Sequence, residues 1–260
     1  MAVSLWKRLI ARVQSQPVNA CFCTLAIHSP YRDRARLLIA DTPAMPWIVL
    51  TDEPNDFVDL PARAIRHFPT GPMAIDFQTT ITGTGGGRGA PAYHDKRFVL
   101  QAALKEFDTA IFIDADTRIT SLPRLPRFAT GIAVDNALQS SVADHLSRWG
   151  PMRKPAFEQL ALELTGDANT INSARWCSES LFAVTKDKNE TKFFAAWERG
   201  AKFLQDRGLF SGEGGVIGLA AFYAGWTVNY TTLRKLVAAT KHEGGGPKPL
   251  DAHSTIQRHC

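Results

Sequence analysis

The chain contains little cysteine, and this scarcity excludes two classes of protein. Its four cysteines among 260 residues form neither a disulfide framework nor the paired C-x-x-C spacing of a zinc site. We therefore predict reduced thiols and a cytoplasmic location. Cys21 and Cys23 are alternate residues of a predicted strand, and we expect them to be small core side chains.

The chain also lacks a long apolar run. The longest uncharged stretch, 214–233, contains four glycines, three threonines and Asn229, and a buried helix followed by a strand explains it better than a membrane span. A short amphipathic helix is predicted over 1–19, without the apolar core of a secretory signal. That helix is compatible with a contact to a membrane surface or with a dimer contact.

Positive charge is in excess, but only modestly. The formal net charge of +5 favours anionic partners such as anionic lipid or the phosphates of a small ligand. No basic run, zinc-finger pattern or recognition-helix pattern occurs in the sequence, so we predict no nucleic-acid partner. With 45% hydrophobic and 21% charged residues, the composition is that of a globular protein.

Buried strands alternate with helices along the chain. Apolar runs at 20–27, 47–50 and 110–113 have the composition of buried strands, and 31–40 and 94–107 have helical periodicity. Such alternation predicts an α/β fold with a mostly parallel, Rossmann-like sheet flanked by helices. Ligands of such folds bind outside the carboxyl ends of the strands, so the polar residues that follow each strand matter most.

Two carboxylates follow the strand at 110–113, in the sequence Asp114-Ala115-Asp116. Like charges so close raise each other's pKa, and a divalent cation would neutralise them. Oxygen ligands suit Mg²⁺ or Mn²⁺, which commonly complete their coordination with substrate phosphates. The alternative is a solvated strand end whose carboxylates cap the next turn.

A second polar motif comes late in the chain. His242, Gly245, Lys248 and Pro249 form the pattern H-x-x-G-x-x-K-P. An imidazole ligand, a glycine that allows close backbone approach and a lysine ammonium all suit a metal-bound diphosphate. A glycine-rich C-terminal tail with an incidental histidine and lysine is the alternative.

The order and content of these motifs resemble the GT-A glycosyltransferases, and within them the retaining enzymes that include glycogenin and the bacterial lipopolysaccharide galactosyl- and glucosyltransferases. The resemblance covers most of 20–250. It implies a GT-A fold, a nucleotide-diphosphate sugar donor with UDP as the favoured nucleotide, and Mn²⁺ or Mg²⁺ held by Asp114, Asp116 and His242. It also implies that Tyr31 stacks on the base and that Gly245 and Lys248 bind the diphosphate.

Further candidate residues follow from their surroundings. Glu213 interrupts an apolar, glycine-rich stretch, so it either acts on the acceptor hydroxyl or donor sugar, or is the carboxylate of a helix N-terminus. Glu179, before another apolar strand, has the same alternatives. Lys96 and Arg97 either reach the diphosphate or are solvated. Asp52, at the end of a strand, either contacts the ribose or base of a nucleotide or has only a capping role at the protein surface.

The sequence therefore predicts a metal-dependent glycosyltransferase with one continuous sheet. A nucleotide-sugar-binding half is expected over 20–135, and an acceptor-binding half that carries the diphosphate and metal loop over 136–260. The acceptor, whether a glycan, a lipid or a small molecule, is not specified by these residues. A sugar-nucleotide nucleotidyltransferase and a non-catalytic sugar-nucleotide-binding protein are the two alternatives.

Overall fold

The computed structural model describes residues 18–69, 94–135, 139–209 and 212–243. The helix predicted over 1–19 lies almost wholly outside this part of the chain. Gly245 and Lys248, predicted to bind a diphosphate, also lie outside it.

Strands and helices alternate as the sequence predicts. The strands are β1 (Ala20–Ala26), β2 (Trp47–Thr51), β3 (Ala62–Arg66), β4 (Thr109–Ile113), β5 (Thr117–Ile119), β6 (Gly131–Val134), β7 (Leu181–Thr185), β8 (Val228–Asn229) and β9 (Thr240–His242). The helices are α1 (Ser29–Ala40), α2 (Lys96–Leu104), α3 (Val142–Trp149), α4 (Lys154–Thr165), α5 (Thr170–Ser173), α6 (Glu190–Gln205), α7 (Glu213–Tyr223) and α8 (Arg234–Ala238), with single 3-10 turns at Pro54–Phe57 and Pro151–Arg153.

Seven strands form one mixed sheet in the order β3-β2-β1-β4-β7-β6-β8. Neighbours pair in parallel except at β7, which is antiparallel to both β4 and β6. The chain adds β2 and β3 on one side of β1 and β4 on the other. The carboxyl ends of β1 and β4 therefore form a switch point, where open α/β sheets leave a crevice for ligands.

Both faces of this sheet are buried, because its strands are apolar on both sides. One face, which includes Cys21, Cys23 and Phe112, packs against α2, α3, α4, α6 and α7. The other face, which includes Phe22 and Ile111, packs against α1 and α8. The two cysteines are free and buried, as predicted for core residues.

The uncharged stretch at 214–233 is the buried helix α7 followed by β8, as predicted. Its glycines permit an unusually close approach to the segment before β7. A Cβ at Gly218 would overlap the carbonyl oxygen of Arg175, and one at Gly214 would lie 2.5 Å from Oε2 of Glu179. The glycines therefore bring the first turn of α7 against Glu179.

Candidate functional site

Four chain segments meet at one edge of the sheet, beside the switch point. The segment after β4 carries Asp114, and Ile113 pairs with Leu181, so the antiparallel strand β7 begins where β4 ends. The amide of Asp114 donates to the carbonyl of Ser180 at 2.8 Å. Because α2 runs back toward the start of β4, its first residue Lys96 lies at this edge, where the first turn of α7 also lies.

Lys96 is the buried centre of a charge cluster formed with Asp114, Glu179 and Glu213, which we call the Lys96 cluster. The Nζ atom lies 3.0 Å from Oδ1 of Asp114 and 3.4 Å from Oε1 of Glu213. It also donates to the backbone carbonyl of Glu179 at 2.9 Å. One ammonium thus joins three segments that are far apart in sequence.

Burial makes these contacts energetically important. Lys96 is 4% exposed, and although burial acts to lower the pKa of its ammonium, the carboxylates of Asp114 and Glu213 outweigh burial and raise it. Burial raises the pKa of Asp114 against the opposing effect of Lys96. Arg97 is also buried, at 7% exposure. The alternative in which Lys96 and Arg97 are solvated is therefore wrong, since both side chains have protein partners.

The two acidic residues predicted to be catalytic lie together in this cluster. Glu213 is 5% exposed and is the first residue of α7, where the helix dipole favours a negative charge. Glu179 lies next to it, and burial, followed by the charge of Glu213, raises the pKa of Glu179 to about 8. A carboxyl with that pKa is largely protonated at neutral pH, so Glu179 can donate a hydrogen bond.

The raised pKa predicts that Glu179 makes folding pH-dependent. The folded protein holds this proton to a higher pH than the unfolded chain does. The contribution of the protonated Glu179 to the free energy of unfolding is therefore complete below about pH 4.5 and is lost as the pH rises to about 8. We expect Glu179→Gln to change the free energy of unfolding little at pH 5. At pH 9 we expect the variant to be more stable than the parent by about 1 kcal/mol or more.

Urea denaturation in the presence of a chelator measures this difference at the two pH values. Glu163→Gln is the matched control, because Glu163 is exposed on α4. Its replacement is expected to change the free energy of unfolding by the same amount at pH 5 and at pH 9. An effect of Glu179→Gln that does not change between pH 5 and pH 9 would contradict the assignment of the proton to Glu179.

Asp116 and His242 meet on the two-stranded sheet formed by β5 and β9. Thr117 pairs with His242 in this ladder, and Oδ1 of Asp116 lies 3.3 Å from Nδ1 of His242. The backbone reinforces the contact, since the amide of Glu243 donates to the carbonyl of Asp116 at 2.9 Å. Residues far apart in the numbering are therefore brought together, and their role as metal ligands stays a prediction.

An ion pair between β5 and the residue after α1 helps to hold this small sheet to the main body. Arg118 on β5 donates from Nε and Nη2 to the two carboxylate oxygens of Asp41, which follows α1, at 2.7 and 2.6 Å. The guanidinium holds the pKa of Asp41 below its usual range. A bidentate pair fixes orientation as well as distance, so it holds β5 and its neighbour Asp116 in place.

The donor chemistry of this edge fits a divalent cation. A carboxylate and an imidazole are both ligands of Mn²⁺, and a Mg²⁺ or Mn²⁺ ion held by one or two protein groups commonly takes its remaining ligands from substrate phosphates. Over the described ranges, which omit 244–260, no three His, Cys, Asp or Glu side chains are grouped closely enough to form a metal site. Asp116 and His242 thus fit as a pair, and Asp114 is engaged by Lys96.

The predicted nucleotide contacts lie on the other side of the switch point. Tyr31, in the first turn of α1, is half-buried, and burial followed by the charge of Asp116 raises its pKa. Asp52, after β2, accepts from the amide of His28 at 3.2 Å and from Arg32 at 2.8 Å. His28 has a φ of 71°, so Asp52 stabilises a left-handed backbone at the end of β1. Its contact with a ribose or base stays a prediction.

Three residues near the Lys96 cluster or near Asp116 were not predicted as site residues. Arg153 lies near Gly212, where a Cβ would be 3.3 Å from its Nη1, and the charges of Glu179 and Glu213 act on it. Arg34 lies 4.0 Å from Oδ2 of Asp116. His94 is buried beside α2. Burial lowers its pKa, and the charge of Glu213 opposes that effect. Nothing in their local sequence marks them as site residues, because their contacts with the acidic groups join separate segments of the chain.

Comparisons with known proteins add little to this description. The chain matches no protein-family profile and no curated protein sequence. Among solved structures, the apo form of mouse xyloside xylosyltransferase 1 aligns with 80% of this chain and 81% of its own, at 12% identity and a TM-score of 0.35. A likeness of that size carries no argument about fold or function, so both rest on the topology and side chains above.

Within the part of the chain that the structure describes, none of the helices has the length and apolar character needed to cross a bilayer.

Proposed function

We propose that this protein is a GT-A-type glycosyltransferase that uses a nucleotide-diphosphate sugar, with UDP as the favoured nucleotide. One observation carries the proposal: the carboxylates that follow β4 lie at the switch point of the sheet, where Asp116 meets His242 from the far end of the chain. The resemblance of the Asp114 and His242 motifs to that class supports it. The acceptor is a glycan, a lipid or a small molecule.

In this reaction the bond between the sugar carbon and the diphosphate breaks, and the same carbon bonds to an acceptor oxygen. The nucleoside diphosphate leaves, and the acceptor hydroxyl gives up its proton. Asp116 and His242 would hold Mn²⁺ or Mg²⁺ while Asp114 stays paired with Lys96, and the bound ion would supply positive charge beside the diphosphate. Tyr31 would stack on the base.

The Lys96 cluster supplies the groups that act on the sugar and the acceptor. Its ammonium places positive charge beside the leaving diphosphate, which electrostatic stabilisation of the transition state requires. Glu213, paired with Lys96, is the carboxylate that orients the acceptor hydroxyl and takes its proton. Glu179, protonated at neutral pH, donates a hydrogen bond to the bound sugar or acceptor.

Calorimetric titration of UDP tests the donor site directly. We expect UDP to bind in the presence of Mn²⁺, to lose affinity with a chelator, and to lose at least tenfold in affinity in His242→Ala, about the amount by which one metal ligand or its support commonly matters. Lys241→Ala is the matched control on the same strand, since its side chain lies on the opposite face of β9 from His242.

Release of UDP from a panel of UDP-sugars then tests the reaction. Turnover that requires Mn²⁺ or Mg²⁺ supports a glycosyltransferase. Metal-dependent binding without turnover on any sugar or acceptor would favour the non-catalytic binding protein instead, and formation of UDP-sugar from UTP and a sugar phosphate would favour the nucleotidyltransferase. Binding of UDP that ignores both the metal and His242→Ala would contradict the donor site.

A further inference from the structure

The connection between α3 and α4 exposes two large apolar side chains. Trp149 is 65% exposed and Met152 is 79% exposed, and Pro151 between them is exposed as well. Both tryptophan and methionine are usually buried in folded proteins, because their large apolar surfaces are unfavourable in water. Two such side chains together on one turn mark a contact surface. We call residues 149–154 the Trp149 turn.

The backbone of the Trp149 turn is fixed by its own hydrogen bonds. The amide of Gly150 donates to the carbonyl of Leu146 at 2.8 Å, and the amide of Arg153 donates to the carbonyl of Gly150 at 2.9 Å. Pro151 and Pro155 restrict the backbone further where the 3-10 turn and α4 begin. A partner that binds the exposed side chains therefore loses little affinity to the ordering of the turn.

The surroundings of the two apolar side chains are basic. Arg148, Arg153 and Lys154 lie in the turn or beside it, and no aspartate or glutamate occurs over 145–157. On the side of α3, the nearest carboxylate is that of Asp144, which is engaged in the capping box at the start of that helix. The Trp149 turn thus combines an apolar tip with a positively charged base, and it is complementary to a surface that is apolar inside and anionic outside.

We infer that the Trp149 turn docks this protein on an anionic lipid bilayer, with Trp149 and Met152 inserted at the level of the headgroups. Tryptophan favours that level because its ring is amphipathic, and the unbranched methionine side chain adapts to irregular apolar surroundings. Arginine and lysine keep their charges at the headgroups while their stems lie along apolar surface. Each base close to an anionic membrane commonly strengthens binding about fivefold.

A protein partner fits this surface less well than a bilayer does. A stable protein interface covers about 800 Å² on each partner, whereas the exposed positions of the flanking helices are mostly polar, with Ser147 and Arg148 on α3 and Gln159 and Glu163 on α4. An apolar tip of two side chains is small for such an interface. It is enough for insertion into lipid, because lipids adapt to the shape of what enters them.

Sedimentation with sucrose-loaded vesicles tests the inference without donor or acceptor, so its result does not depend on the proposed function. We expect the full chain to bind vesicles of phosphatidylcholine with about 30 mol% phosphatidylserine, and to bind pure phosphatidylcholine at least tenfold less tightly. Trp149→Ser combined with Met152→Ser should lower affinity for the anionic vesicles about tenfold or more. Leu162→Ser is the matched control, because Leu162 is an exposed apolar residue about two turns further along α4, and it should bind as the parent does.

A second pair of variants tests the charges. Arg148→Gln combined with Lys154→Gln should lower affinity for the anionic vesicles at least tenfold and change binding to pure phosphatidylcholine little. Lys188→Gln combined with Lys202→Gln removes the same net charge from exposed positions elsewhere, and its effect should stay below about threefold. Added salt should weaken the binding of the parent to anionic vesicles.

Quenching of tryptophan fluorescence by brominated lipid tests insertion. Four of the other five tryptophans are buried, namely Trp47, Trp176, Trp197 and Trp226, so the bromine atoms should quench Trp149 much more than these four. We expect Trp149→Phe to lose most of the quenching while it still sediments with the vesicles, since phenylalanine keeps an apolar ring at the tip of the turn.

Three results would overturn the inference. The first is a parent protein that does not sediment with anionic vesicles. The second is binding that persists in the Trp149→Ser and Met152→Ser variant, which would assign the contact to another element such as 1–19. The third is a parent that ignores vesicles but dimerises through the turn, seen as a dimer that this variant abolishes. Thermal unfolding of each variant checks that the fold is intact, as expected for replacements of exposed side chains.

Discussion

Replacing Asp116 by alanine is expected to abolish sugar transfer while leaving the protein folded. Its carboxylate contacts His242 and Arg34 at the edge of the sheet, and its backbone contact with Glu243 does not depend on the side chain. The free energy of unfolding should therefore fall by less than about 1 kcal/mol. Turnover should fall about 1000-fold or more, because the charge that supports departure of the diphosphate is lost.

Initial rates of UDP release, with urea denaturation of the same samples, measure both effects. Asp206→Ala is the matched control, since Asp206 is an exposed carboxylate at the end of α6 that pairs with Lys202 on its own helix. We expect that control to keep its turnover and stability. An Asp116→Ala variant that turns over donor at the parent rate would remove Asp116 from the proposed site.

The centre of the sheet could be predicted from the sequence because its strands β1, β2 and β4 are marked locally. The apolar runs that became β1, β2 and β4 are bounded by proline, asparagine or aspartate, and the predicted bounds differ from the observed ones by one residue. Burial of Glu213 was also predictable, since the surrounding residues of α7 are apolar. The antiparallel direction of β7 was not predictable, because a short apolar sequence does not indicate whether its strand runs parallel or antiparallel to its neighbours.

The convergence of Asp116 with His242 could be proposed only from resemblance, and its geometry comes from the pairing of β5 with β9. Contacts such as that of Lys96 with Glu213 span 117 positions and depend on how two helices pack over one face of the sheet. No local pattern encodes such a contact. Lys96 could be expected near a diphosphate. Its carboxylate partners could not be predicted, because they are remote from it in sequence.

Those partners predict that Lys96→Met is severely destabilising. Methionine can fill much of the same space over Phe112, whose ring centroid lies 5.0 Å from Nζ, so the loss is mainly one of charge. Glu213, which is buried, and Asp114, which is half-buried, would remain beside Glu179 without their cation. Removing one partner of a buried ion pair typically costs about 3–5 kcal/mol, and we expect a loss of that size in the free energy of unfolding at pH 8.

The pH dependence of this loss separates charge from packing. Without the ammonium, the pKa values of Asp114 and Glu179 rise further, so the folded variant takes up protons as the pH falls and regains stability. Urea denaturation should show a smaller difference in the free energy of unfolding between variant and parent at pH 5 than at pH 8. Adding Glu213→Gln to Lys96→Met should recover part of the lost stability. Lys202→Met, at an exposed pair, should change stability by less than about 0.5 kcal/mol at either pH.

A loss that is the same at both pH values would mean that Lys96 matters for its packing and not for its charge. The expected result has a direct consequence for the proposed reaction. If the ammonium is what allows three carboxyl groups to lie so close together, then a donor diphosphate that draws on Lys96 must bring its own cation to compensate Asp114 and Glu213. The requirement for Mn²⁺ or Mg²⁺ would then follow from the charge balance of the Lys96 cluster as well as from the ligands Asp116 and His242.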